Sequence, residues 1–144
     1  MFIGNYSASV SKSHRVAVPK RFRSELGKSF IVAKWYEHCL VLVSEQGWKQ
    51  LFERVTGSRK TLTSPVRDID RFLLGSAYEL TPDGQGRVVV PENLATYAGF
   101  STELVFLGLN DRIEIWDAAE WKKREHYVTE HAANLLDKFA NENA

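Results

Sequence analysis

Asp83-Gly-Gln-Gly-Arg87-Val-Val-Val-Pro91 repeats, 72 residues further on, the earlier passage Ser11-Lys-Ser-His-Arg15-Val-Ala-Val-Pro19. Tyr6 and Tyr78 stand at the same distance ahead of the two passages, and Gly27 and Gly99 at the same distance behind them. Beyond the glycines the echo continues at a slipped offset. Phe30-Ile-Val-Ala33 and Cys39-Leu-Val-Leu-Val43 are answered by Leu104-Val-Phe-Leu107 and Arg112-Ile-Glu-Ile-Trp116, and Trp48-Lys49 by Trp121-Lys122. Each copy reads strand, loop, strand, short helix, strand, strand, helix, so the chain holds two copies of one small α+β unit. A unit of about 72 residues is near the size at which a single core is marginal. Packing of the copies on each other, or on other chains, is expected.

The punctuation of each copy follows from local chemistry. The Val-rich runs after Arg15 and Arg87 suit strands, and the prolines that end them cannot donate to a sheet ladder. A short helix follows each proline, Lys20 to Leu26 and Asn93 to Ala98, with Gly27 and Gly99 as C-terminal caps. Ser64-Pro65 sets the start of a middle helix that stops at Gly75, and Asp117-Ala-Ala-Glu120 is a capping-box pattern ahead of Trp121. Apolar stripes at Trp48, Leu51, Phe52, Val55 and at Trp121, Val128, Leu135, Phe139 predict amphipathic helices whose striped faces are core. The four tryptophans are expected in core or subunit interface. This divides the chain into a first repeat (1–55), a joint with a helix (56–76), a second repeat (77–121) and a C-terminal helix (122–144), with Thr56 to Ser64 the candidate mobile linker.

Composition is that of an ordinary folded protein, 44% apolar and 26% charged. No apolar run spans a bilayer and the first residues lack a signal-type pattern, so a cytoplasmic protein without a membrane partner is expected. The single Cys39 cannot form an internal disulfide and is expected to be a small buried apolar group. The net charge of +1 is uninformative, but its distribution is not. Between Met1 and Lys28 six basic residues face the single Glu25, a net +5, whereas Tyr78 to Phe100 carries a net −2. A polyanion would therefore be met by the first copy, where Lys12, Arg15, Lys20, Arg21 and Arg23 neutralise phosphates and release counterions.

The loops ahead of the two Val-rich strands carry the distinctive chemistry. In Asp83-Gly-Gln-Gly-Arg87 the two glycines are read as supplying positive φ angles, and Asp83 meets either the loop N–H groups or the Arg87 guanidinium. In the first copy Ser11 replaces the aspartate, and Lys12 and His14 replace the glycines. Arg15 thus has no anion supplied by its own motif. An open basic loop of this kind suits phosphates, with Arg15 able to read a guanine edge bidentately.

Two Arg-Val-x-Val-Pro loops, the opening Met1-Phe-Ile-Gly and the Phe72-Leu-Leu-Gly75 segment before the second repeat together resemble the MraZ family, bacterial transcriptional regulators encoded at the head of the division and cell-wall gene cluster. The resemblance runs from Met1 to about Trp121. It implies an AbrB-like swapped-hairpin fold in each repeat and assembly of many subunits into a ring-shaped homo-oligomer. It further implies binding of double-stranded promoter DNA at short direct repeats, with the protein associated with the nucleoid. The family's motif arginines fall on Arg15 and Arg87 and its second aspartate on Asp83, while its first falls on Ser11, a departure. Arg15 is then oriented by Ser11, by His14 or by another subunit, or it is less fixed and discriminates less.

Other classes find little support. There is no P-loop and no cysteine with a positioned histidine, so no enzyme, cofactor or small-molecule substrate is expected. His126 and His131, five apart on the last helix, are poorly spaced for a metal. Asp83 and Arg87 have a purely structural reading as a salt bridge, and the basic cluster one as solvated surface. The competing functional class is an antitoxin-like or other protein-interaction module of the same fold.

Overall fold

The computed structural model describes residues 1–57 and 61–142. In chain order the elements are β1 (Phe2–Ser9), β2 (Arg15–Ala17), α1 (Lys20–Leu26), β3 (Phe30–Lys34), a 3-10 turn (Tyr36–His38), β4 (Leu40–Ser44), α2 (Glu45–Thr56), α3 (Ser64–Leu73), β5 (Tyr78–Leu80), β6 (Arg87–Val89), α4 (Glu92–Tyr97), β7 (Glu103–Asn110), β8 (Ile113–Asp117) and α5 (Ala118–Glu142). The expected series of elements thus occurs twice, with α3 between the copies. Of the expected linker Thr56–Ser64, residues 58–60 lie outside the described residues, while Thr56 closes α2 and Ser64 opens α3.

The two copies exchange their first strands. One antiparallel sheet has the order β1-β7-β8-β4-β3-β5, and a separate two-stranded ribbon pairs β2 with β6. β1 of the first copy lies on β7 of the second, Tyr6 opposite Phe106, while β5 of the second lies on β3 of the first, Tyr78 opposite Val32. The pairings Val41 with Glu114 and Val16 with Val88 lie at the centre of an internal pseudo-two-fold that relates the copies. This is the swapped-hairpin α+β architecture, completed within one chain.

Burial follows from that interleaving. β4 sits inside the sheet with apolar layers on both faces, so it reads as the unbroken run Leu40-Val-Leu-Val43 rather than alternating. Its even residues, with Phe30, Val32, Phe106 and Ile113, face a core closed by the ribbon and by Phe22, Leu26 and Leu94 of α1 and α4. Phe22 meets Phe2 and Tyr6 edge-on, with ring centroids 5.7 and 5.1 Å apart. Each such fully buried side chain stabilises by about 1.5–3 kcal/mol over an exposed one. The odd residues Val41 and Val43 face a second layer with Trp35, Trp116, Leu51 and Leu73, against which Trp48 and Trp121 are partly buried. Cys39 belongs to this layer, and its burial raises the thiol pKa far above the ordinary range.

Three details differ from the sequence reading. α3 starts at Ser64, with Thr63 as its cap residue, and ends at Leu73 before Gly75, where a Cβ would lie 2.4 Å from the Arg71 carbonyl oxygen. The capping box at α5 is half formed: Asp117 accepts from the Glu120 N–H at 3.4 Å, but the Glu120 carboxylate turns to Lys123. The α5 stripe joins the core only at Trp121. No residue of α5 is buried, and Val128, Leu135 and Phe139 are exposed, because α5 runs beyond the sheet after its first turns. Among the described residues no helix is long and apolar enough to cross a membrane.

The exchange depends on close approach at one glycine pair. Gly4 and Gly108 lie opposite each other, and a Cβ on Gly108 would sit 2.5 Å from the Ile3 nitrogen and 2.7 Å from the Phe2 carbonyl carbon. Gly108→Ala is expected to lower stability by more than about 1 kcal/mol and to speed amide exchange across Phe2–Ser9. Wild-type exchange there would show that β1 docks without this approach.

Candidate nucleic-acid interface

The ribbon presents the repeated motif to solvent. Alternation turns Val16 and Val88 inward, 1% and 7% exposed, and leaves Arg15, Ala17, Arg87 and Val89 on the outer face, Val89 being 49% exposed. Arg15 stands opposite Val89 and Arg87 opposite Ala17, so the two arginines are diagonal neighbours on the outer face, their Cα atoms roughly 7 Å apart. They come from different repeats and meet only because the repeats share this ribbon.

The two loops have the same backbone fold and different side-chain chemistry. Ser11 N–H donates to the Arg15 carbonyl at 2.8 Å and His14 N–H to the Ser11 carbonyl at 3.0 Å, while Asp83 N–H and Gly86 N–H make the same two bonds at 2.9 Å each. Ser11 Oγ accepts from the Arg15 N–H at 3.1 Å, as Asp83 Oδ1 does from the Arg87 N–H at 3.0 Å. Asp83 does two things more: its Oδ1 also accepts from the Gln85 N–H at 2.9 Å, where Ser11 Oγ meets Ser13 Oγ instead, and its Oδ2 accepts from Arg87 Nε at 3.0 Å. Serine therefore replaces the aspartate as a turn former but not as a guanidinium holder. Among the described residues no carboxylate pairs with Arg15, so the arginine of the first loop is the unheld one.

One glycine, not two, carries a positive φ in the second loop. Gly86 has φ 76° and its counterpart His14 has φ 61°, whereas Gly84 and its counterpart Lys12 are in ordinary regions. A histidine in the left-handed region costs roughly 1 kcal/mol, which the shared turn bonds offset.

The basic residues of the first copy do not gather at one end. Lys12, Ser11 and His14 lie with Arg15 at the first loop, beside the start of α4 and its Glu92, as the Val90 N–H bond to the His14 carbonyl at 3.3 Å shows. Lys20, Arg21 and Arg23 follow the other end of β2, where Val18 N–H donates to the Gly86 carbonyl at 3.0 Å, and so flank the second loop. The antiparallel ribbon thus brings cations of the first repeat to the acidic loop of the second. No spacing in the sequence signals this exchange of neighbours.

A cleft of about 520 Å³ opens beside the first loop, between His14, Val90, Glu92, Ala95 and Phe100. On the far side of the sheet Glu114 is nearly buried, accepts from Trp116 Nε1 at 3.0 Å and pairs with Arg112 at 3.5 Å, a structural network that the sequence reading missed. Among the described residues no three His, Cys, Asp or Glu side chains converge as metal ligands. His126 pairs with Glu130, and His131 lies on the Tyr127 carbonyl.

The Arg87 and Gln85 N–H groups and the Arg87 guanidinium hold the Asp83 carboxyl below the ordinary carboxylate range, although partial desolvation opposes them. The stabilisation is therefore present above the unfolded-state pKa of about 4 and is lost as pH falls through the lower folded-state value. Asp83→Asn is expected to be less stable than wild type at pH 7 and to converge on it as the pH falls through the lowered folded-state value, as read by urea midpoints at pH 7 and along an acid series. A difference that persists at the acid end would remove the ionised carboxylate as its cause.

A family model described as "MraZ protein, putative antitoxin-like" matches the chain twice, over residues 1–71 and 73–142. Proteins named Transcriptional regulator MraZ are similar along nearly their whole length. The one from Syntrophomonas wolfei is 35% identical over 95% of this chain and 98% of its own. Those from Acetivibrio thermocellus and Moorella thermoacetica are 34% and 31% identical, covering 97% and 98% of both chains. With both repeats matched and the relatives aligned end to end, the chain belongs to the MraZ family.

Proposed function

We propose that this protein is a DNA-binding transcription regulator that reads promoter DNA with the outer face of the β2–β6 ribbon. The observation that carries this reading is the pair Arg15 and Arg87, brought from two repeats onto one exposed ribbon face and flanked at both ends by cations. A two-stranded ribbon fits the major groove, and an arginine there takes guanine O6 and N7 together. Asp83 fixes the Arg87 fork, while Lys12, His14, Lys20, Arg21 and Arg23 are placed for phosphates, which position the protein without carrying sequence. The names carried by the relatives agree with regulation of transcription.

The target in this reading is a set of short direct repeats upstream of the protein's own division and cell-wall operon, bound in the cytoplasm at the nucleoid by a ring of subunits. Several weak ribbons on one ring act as linked ligands, so each further box is met at high effective concentration. The repeats 1–55 and 77–121 form the reading unit, with 56–76 joining them and 122–144 extending from it. The alternative, an antitoxin-like or other protein-interaction module, draws its support from the exposed apolar stripe of α5.

Binding to a labelled duplex from upstream of the gene, measured against a scrambled duplex across a salt series, tests the proposal. Arg15→Ala and Arg87→Ala are each expected to lose about ten- to a hundredfold in promoter affinity and to lower the promoter-to-scrambled ratio. Ser11→Asp, which restores the missing carboxylate, is expected to raise that ratio. Equal binding of both duplexes by wild type and variants would transfer the weight to the protein-interaction reading.

A further inference from the structure

Helix α1 of the first repeat reaches across onto the loop of the second. A Cβ built on Gly86 would lie 1.9 Å from Arg23 Nη1, 2.4 Å from its Cζ and 2.8 Å from its Nε, so the guanidinium rests in the space that the missing side chain leaves. Arg23 Nε is buried with no hydrogen-bond partner. The terminal nitrogens are not among the buried unpartnered atoms, and no carboxylate pairs with them among the described residues. The nearest loop carboxylate, Asp83, is committed to Arg87 and to the loop N–H groups. Arg23 is therefore a half-buried cation held at its inner edge and open at its outer one.

We propose that Arg23 is a phosphate ligand of the second loop, seated on Gly86 so that its outer edge meets a phosphodiester of bound DNA beside the Arg87 contact. Three features support this use of the side chain. Seating removes much of the rotamer freedom that a surface arginine would lose on binding. An anion offsets the cost of holding an unpaired guanidinium against the protein. With Lys20 and Arg21, it also outweighs the two net negative charges of Tyr78–Phe100, which on their own would repel a phosphate from this loop.

The first loop lacks the device. Ala95 is the counterpart of Arg23 and His14 the counterpart of Gly86, and the cleft of about 520 Å³ lies where the cation and its seat would be. The two ends of a nearly symmetric ribbon thus hold DNA differently, one through a held arginine pair and one through the unheld Arg15 with Lys12.

This rests on the DNA-binding reading, and the test separates the two. Full-length wild type, Arg23→Met, Arg23→Gln and Arg23→Lys are titrated with the promoter duplex and a scrambled duplex of equal length between 50 and 200 mM salt. The two neutral variants differ in stem chemistry, so one that keeps the wild-type denaturation midpoint reports on charge alone. The expected result is about tenfold weaker binding of both duplexes with the promoter-to-scrambled ratio unchanged. The slope of log K against log salt should flatten by about 0.9, one phosphate contact, and return in Arg23→Lys. Wild-type affinity and slope in the neutral variants would reduce the seat to packing. A fall in the ratio at unchanged slope would make Arg23 a support for Arg87 instead. Absence of salt-dependent binding by wild type itself would remove the DNA reading and this inference with it.

Discussion

The exchange of β1 and β5 between the repeats is the constraint on which the rest of the molecule depends. β1 is joined to β2 by five residues, Val10 to His14, so committing β1 to β7 carries β2 over the second repeat. The same holds for β5 and β6 in the other direction. The ribbon is therefore built from one strand of each copy, antiparallel, with Val16 against Val88 at its middle. From this follow the burial of β4 on both faces and the meeting of Arg15 with Arg87 on one face. It also places the α1 cations beside the second loop. A chain with the same strands paired within each repeat would hold the two arginines apart and leave each ribbon strand without a partner.

The loops show that a motif aspartate performs two separable jobs. One oxygen closes the turn by accepting the N–H four residues on, and a serine hydroxyl does this as well as a carboxylate does, at 3.1 against 3.0 Å. The other oxygen restrains a guanidinium, and a hydroxyl with one oxygen cannot supply it. Replacing Asp by Ser thus keeps the loop's backbone bonds while giving up the Gln85-type N–H bond and freeing the arginine from its carboxylate. The histidine at φ 61° shows how tightly the turn is specified, since it is adopted even where glycine is absent.

Much of the fold was legible because repetition, strand-ending prolines and capping glycines act locally. The Val-rich strands, α1 with Gly27 and α4 near Asn93 with Gly99 come from backbone chemistry within a few residues. What was not legible was which copy each element packs against. Charge summed along the chain grouped Lys20, Arg21 and Arg23 with Lys12 and Arg15 as one basic stretch of the first copy, whereas the ribbon's antiparallel sense sets them beside the second loop. The contact of Arg23 with Gly86 joins residues of different repeats and has no sequence signature. The α5 stripe at Val128, Leu135 and Phe139 has the period of a core helix, yet period reports amphipathicity and not the presence of a covering surface. Gly84 was read as conformationally required because it matched Gly86 in type, although only one position of the turn needs the left-handed region.

The strand exchange also governs how the protein can be made. During synthesis β1 leaves the ribosome first, yet its pairing partner begins at Glu103 and ends at Asn110. At elongation rates of about 5–20 residues per second the nascent chain carries β1 with an open edge for on the order of ten seconds. The polar pattern of β1, with Asn5, Ser7 and Ser9 along the strand, keeps that edge from being a continuous apolar template. Neighbouring nascent chains carry the same complementary strands, so the interval before Asn110 emerges is when a β1 from one polypeptide can enter the sheet of another.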